Sequence, residues 1–234
     1  MKRAILKGSL LAITAAGMAA GAGAAQPGQI VWHFDNLERI GGNPAHAEGH
    51  PGIISTPAGK AVTFNGVDDA VLIDNHPLAG APAFTIEAVF RPDGGAFEQR
   101  WLHLAEADAV NGEAKSPRTL FEIRVVGEAW YLDAFTTGPG YNLTLVVPEK
   151  TFPVGRWYRV EQVCDGKTFR SYVDGVLQAE GVIEYKPQGP GRTSAGMRIN
   201  RVSYFKGAIL ETRFTPRALS VAEFAPLPAG LNGK

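Results

Sequence analysis

Hydrophobic and polar positions alternate over short stretches along most of this chain. In "FTIEAVFRP" (84–92) apolar residues recur at every second position, and the stretch is bounded by Gly, Pro and Asp. The same holds, with small variations, for "KAVTFNG", "AVLID", "RWLHLAE", "LFEIRVVG", "AWYLDAF", "LTLVVP", "WYRVEQVCDG", "FRSYVDG", "MRINRVSYF" and "AILETRF". A period of two is that of a strand with one face buried. About ten such strands, separated by regular turn signals, predict a β-sandwich or barrel. No segment beyond the N-terminal apolar run has the spacing of an amphipathic helix, and "NPAHAEGHPG" and "KPQGPGRTSAG" read as loops.

Two Asp-Gly pairs sharpen the prediction. Asp174-Gly175 stands between "FRSYV" and "VLQAE". Both central residues of a type I′ hairpin turn need positive φ, which Asp and Gly tolerate. Asp165-Gly166 closes "WYRVEQVC" in the same way, so both aspartates read as turn formers rather than catalytic acids. The two pairs outline a three-stranded meander.

Composition changes the picture only at the edges. The 28 Gly and 16 Pro are spread through the chain, as in a turn-rich fold rather than a low-complexity one. Lys+Arg and Asp+Glu both total 23, so no global field favours nucleic acid or an anionic membrane, and neither is expected as a partner. The N-terminus has a basic start (Met1-Lys2-Arg3, Lys7), an apolar run from Gly8 to Ala20, and small residues around Ala22-Gly23-Ala24. Residues 1–24 therefore read as a secretory signal peptide. The protein is expected to be exported to the periplasm or beyond, with no membrane span in its mature form. One domain is expected over 28–226, followed by a short loose tail at 227–234. A single Cys, Cys164, allows no internal disulfide and reads as a buried, inert thiol.

Four segments, in order, carry a resemblance. "VTFNGVDDAVLI", "FTIEAVFRPDG", "WYRVEQVCDGKTFRSYVDGVLQAEG" and "FKGAILETRFTPRALSVAEF" resemble the strand motifs of laminin-G-like domains, the concanavalin A-like lectin/glucanase jelly rolls. The resemblance covers most of the chain after the signal. It implies an all-β, two-sheet antiparallel jelly-roll β-sandwich that often carries glycans on a concave face. It also implies a structural calcium near the chain termini, with Asp35, Asp68, Asp69 and Glu211 as candidate oxygen ligands. Leu210 stands where the family tends to place Asp. The alternative is that Asp68 and Asp69 cap a turn while Glu211 pairs with an Arg.

Strict alternation puts Trp101 and His103 on one face, with Glu122 and Arg124, Tyr131 and Asp133, and Arg198, Asn200 and Tyr204 on the polar faces of three further strands. Aromatic rings stack on sugar faces, and carboxylates, amides and guanidinium groups bond to hydroxyl pairs. These nine residues are the expected carbohydrate-binding set, with Trp101 and Tyr131 as stacking rings. Arg124, Arg198 and Arg201 have the geometry to hold uronic carboxylates or sulfates.

Enzymatic readings are weaker. "EADAVNGE" (106–113) approximates a glucanase signature, but Asn111 replaces the second carboxylate that glycoside hydrolysis requires. A polysaccharide lyase acting on a uronic-acid polymer has the right residue types in His103, Tyr204 and Arg124, in a motif order unlike that of jelly-roll alginate lyases. A non-catalytic envelope or protein interaction module is the third expectation. His33, His46, His50 and His76 show no metal-ligand spacing.

Overall fold

A computed structural model of the chain describes residues 28–108 and 111–231. The expected signal segment, Ala109, Val110 and residues 232–234 lie outside the described residues. The strands in chain order are β1 (Ile30–His33), β2 (Arg39–Ile40), β3 (Asn43–Glu48), β4 (Gly52–Thr56), β5 (Gly59–Asn65), β6 (Ala70–Ile73), β7 (Phe84–Pro92), β8 (Glu98–Ala107) and β9 (Ala114–Val126). They continue with β10 (Ala129–Gly138), β11 (Tyr141–Val146), β12 (Phe152–Pro153), β13 (Tyr158–Cys164), β14 (Thr168–Val173), β15 (Val176–Val182), β16 (Gly191–Ala195) and β17 (Lys206–Thr215).

They form two antiparallel sheets. An eight-stranded sheet runs β15-β14-β13-β7-β17-β5-β4, with β1 also on β17. A nine-stranded sheet runs β11-β10-β9-β8-β16-β6-β3-β2, with β12 on β10. This is the two-sheet jelly-roll sandwich that the family resemblance implies, and one of the two architectures, sandwich or barrel, that the strand pattern predicts. Among the described residues no helix is long and apolar enough to cross a membrane.

The core lies between the sheets, where alternate residues of facing strands interdigitate. Phe84, Ile86, Ala88 and Phe90 of β7 meet Phe121 and Ile123 of β9 and Trp130 and Leu132 of β10 in one buried cluster. Phe90 stacks on Trp101 at 4.4 Å and meets Trp130 edge-on at 5.2 Å. Cys164 is buried in the same cluster. The Asp174-Gly175 corner has φ of 49° and 74°, the positive pair of the expected type I′ turn. Asp165 Oδ1 accepts hydrogen bonds from the backbone N–H groups of Lys167 and Thr168, so it too shapes a turn.

Three expectations are corrected. First, "MRINRVSYF" is not a strand. Arg198 and Val202 bridge across a turn, and Arg201 and Ser203 adopt φ of 61° and 56°. The strand lies just upstream, in β16, within a stretch that had read as loop. Second, "NPAHAEGHPG" is not a free loop, because β3 pairs with β6. Third, residues 225–231, which include the described part of the expected loose tail, are docked along the eight-stranded sheet. Leu231 is buried with Ala61, Val89, Ala208 and Leu210, and Leu227 packs against them.

Candidate functional site

The nine-stranded sheet turns a polar face outward, and register explains its layout. Arg100 of β8, Glu122 of β9 and Asp133 of β10 lie side by side across three strands. The next row that faces the same way is His103, Leu120, Phe135 and Thr144. Arg118 lies in the following row, beside Ala105 and Thr137. A groove of about 210 Å³ opens here, lined by Arg100, Arg118, Glu122, Arg124, Asp133 and Arg198, with Leu120, Phe135 and Thr144.

One end of the groove is an ion-pair lattice. Arg124 Nη2 lies 2.7 Å from Asp133 Oδ2, and its Nη1 is 3.3 Å from Glu122 Oε2. Arg100 Nε is 3.1 Å from Glu122 Oε1, and Arg100 also pairs with Glu98. Burial, then the neighbouring Glu122 carboxylate, pushes Asp133 up to about 6, and its Oδ1 has no hydrogen-bond partner among the described residues. The guanidinium of Arg124 lies 5.9 Å from the ring of Phe97, which is 56% exposed. Phe97 is thus the accessible ring at this end.

The other end is cationic. Arg118 donates to the Ser116 carbonyl at 2.8 Å and lies over the Phe135 ring at 5.1 Å, but meets no carboxylate among the described residues. Arg198 likewise has no ion pair among them. Burial, then the like charge of Arg198, lowers the pKa of Arg118; the Glu122 carboxylate opposes this in part, and Arg100 adds to it. His103 is 1% exposed. Its Nδ1 accepts the Ile199 N–H at 3.0 Å, which assigns the proton to Nε2, and Nε2 has no partner among the described residues. Burial, then Arg118, Arg198 and Arg100, holds His103 down at about 3, so the ring is neutral at ordinary pH.

The expected binding residues divide accordingly. Glu122, Arg124, Asp133 and Arg198 are brought together in the groove. Trp101 is not. A β-bulge between Arg100 and Leu102 turns both Trp101 and Leu102 into the core, where Trp101 is fully buried. The bulge inverts the expected phase, so Arg100 rather than Gln99 or Trp101 faces outward. Gln99 instead donates to the Gly94 and Ala96 carbonyls and accepts the Lys206 N–H. Tyr131 has the predicted phase, opposite Arg124, but only 9% of it is exposed, which leaves little ring for stacking. Asn200 sits exposed in the 198–202 turn and Tyr204 follows it half-buried; neither lines the groove. Arg201 is engaged by Glu48 at 2.6 Å. Sequence reasoning missed Arg100, Arg118, Phe97 and Phe135.

The four candidate calcium ligands do not converge. Asp69 accepts the backbone N–H groups of His50 and Asn65, and Asp68 accepts the Asn65 side-chain amide. Glu211 pairs with Arg213 at 2.6 Å, and Asp35 bonds to the Asn36 side chain. Among the described residues no group of three or more His, Cys, Asp or Glu is placed to hold a metal ion.

The chain belongs to the concanavalin A-like lectin/glucanase superfamily: the laminin-G-type model of that superfamily matches residues 65–225. No curated protein matches the chain. Among solved structures it is similar to domain 4 of AbnA, an extracellular arabinanase of Geobacillus stearothermophilus in complex with arabinotriose, at TM-score 0.55 and 15% identity, covering 83% of this chain and 94% of that one. It is similar to the binding domain of Paraclostridial Mosquitocidal Protein 1 at TM-score 0.60 and 11% identity, over 83% of this chain and 50% of the other. It is also similar to the NanB sialidase of Streptococcus pneumoniae at TM-score 0.57 and 17% identity, over 80% of this chain and 29% of the other. The chain thus spans half or less of the toxin and sialidase chains. At these identities the likeness establishes the fold.

Proposed function

We propose that this protein is an exported carbohydrate-binding module that holds a poly- or oligosaccharide in the groove on the nine-stranded sheet. The observation that carries this reading is the groove itself. Guanidinium and carboxylate groups from β8, β9, β10 and the 198–202 turn line one cleft, with Phe97 near one end and Phe135 in its wall. Paired donors and acceptors beside an exposed ring suit the hydroxyl pairs and apolar face of a sugar. The arabinotriose in the AbnA domain supports a sugar as ligand of this architecture. The basic, apolar, small-residue order of 1–24 supports export.

The lyase reading is less well supported. A base that abstracts the C5 proton works best with a pKa near the working pH. His103 is held near 3 by burial and three arginines, and Tyr204 does not line the groove.

Affinity electrophoresis through gels containing neutral or acidic polysaccharides tests the proposal. Retardation in at least one polysaccharide gel is expected. Free migration in all of them, together with no binding of short oligosaccharides by calorimetry, would remove the carbohydrate reading.

A further inference from the structure

We propose that Arg118 and Arg198 form an anion subsite in this groove, which takes the carboxylate or sulfate of an acidic sugar residue. The inference rests on the carbohydrate reading above and names the ligand's chemical class.

The four arginines of the groove are not equally matched by carboxylates. Arg100 and Arg124 are neutralised by Glu98, Glu122 and Asp133. Arg118 and Arg198 are not: no carboxylate among the described residues forms an ion pair with either, and they stand close enough to repel each other, which the more distant Glu122 offsets only in part at Arg118. Two half-buried guanidiniums in one cleft are unfavourable without an anion between them. A planar carboxylate or a sulfate accepts parallel hydrogen bonds from such groups, and the low-dielectric wall strengthens them. Arg118 Nε is buried without a partner, so a donor is already desolvated and unused.

Two further features fit the same ligand. His103, beside these arginines, is 1% exposed and neutral, so it adds no third competing charge. The turn that carries Arg198 is held in place. Arg201 pairs with Glu48, and Arg100 Nη1 donates to Ser203 Oγ at 2.5 Å, across two left-handed non-glycine residues. Such backbone conformations persist only where neighbours enforce them. The chain's net charge is zero, so selectivity for acidic glycans would come from this local pair rather than from a global field.

Arginine side-chain Nε–H resonances, assigned by R118Q and R198Q, would be followed by NMR while glucuronate, glucose 6-sulfate, glucose and inorganic sulfate are titrated in turn. Saturable shifts of Arg118 and Arg198 are expected with glucuronate, glucose 6-sulfate or both, at least tenfold tighter than with glucose or inorganic sulfate. Preference between the two acidic sugars identifies the substituent. R118Q and R198Q should each weaken this binding at least tenfold, and R39Q, on the exposed surface, should leave it unchanged. Equal shifts with glucose, or none with either acidic sugar, would overturn the subsite. Inorganic sulfate binding as tightly as the acidic sugars would keep an anion subsite but defeat the carbohydrate reading.

Discussion

The two outer faces of the sandwich both carry rows of charged side chains, and they manage them in opposite ways. On the eight-stranded sheet, Arg159 lies 2.9 Å from Glu87 and Arg213 lies 2.6 Å from Glu211, all four residues buried. The C-terminal segment bonds to the first pair: Ala225 N–H donates to Glu87 and the Pro226 carbonyl accepts from Arg159, and a cleft of about 420 Å³ beside it is lined by Arg159, Glu161 and Asp174. On the nine-stranded sheet two arginines line the groove without an ion pair among the described residues. Charges that are paired and buried hold the structure together. Charges left unmatched beside an open cleft are available to a ligand.

The comparison predicts a large difference in stability effects. R159A strips the partner from a buried Glu87 and should lower unfolding free energy by about 3–5 kcal/mol. R118Q on the open face removes no ion pair and relieves a like-charge contact, so its effect should stay within about 1 kcal/mol. Urea midpoints of the two variants check this. Equal losses would mean that the open face is structural too.

A smaller, pH-dependent effect belongs to Glu161 on the eight-stranded sheet, in the wall of the cleft beside the C-terminal segment. It is fully buried, both carboxylate oxygens lack partners among the described residues, and burial pushes it up to about 8. A raised folded-state pKa favours the protonated acid, so its contribution is complete below the ordinary carboxylate range and lost as pH rises through about 8. Wild type should therefore lose stability from pH 5 to pH 9, and E161Q should lose less. Parallel denaturation curves across that range would show that Glu161 does not titrate in the folded state in this way.

Much of this fold is legible in the sequence, because a half-buried strand writes its two faces directly into alternating residues. β7, β9, β10, β13, β14 and β17 follow that rule, and so do Glu122, Arg124 and Asp133, which reach the groove; Arg198 reaches it from a turn. The failures have local causes. The bulge at Trp101 inserts one residue, and every phase deduced across it inverts, which hid Arg100 and misplaced Trp101. Leu120 interrupts the polar phase of β9, so Arg118 on its far side did not stand out. The 198–204 segment alternates like a strand, yet two positive φ values fold it into a turn. Nothing in the pattern announces non-glycine residues in that conformation.

The measurement that tests the contrast between the faces most directly is hydrogen–deuterium exchange of the protein with and without polygalacturonate, an uronic-acid polymer. The account predicts slower exchange in 118–124, 131–137 and 198–204, with 159–174 and 211–227 unchanged. Protection confined to the second set, or absent from both at saturating polymer, would contradict it.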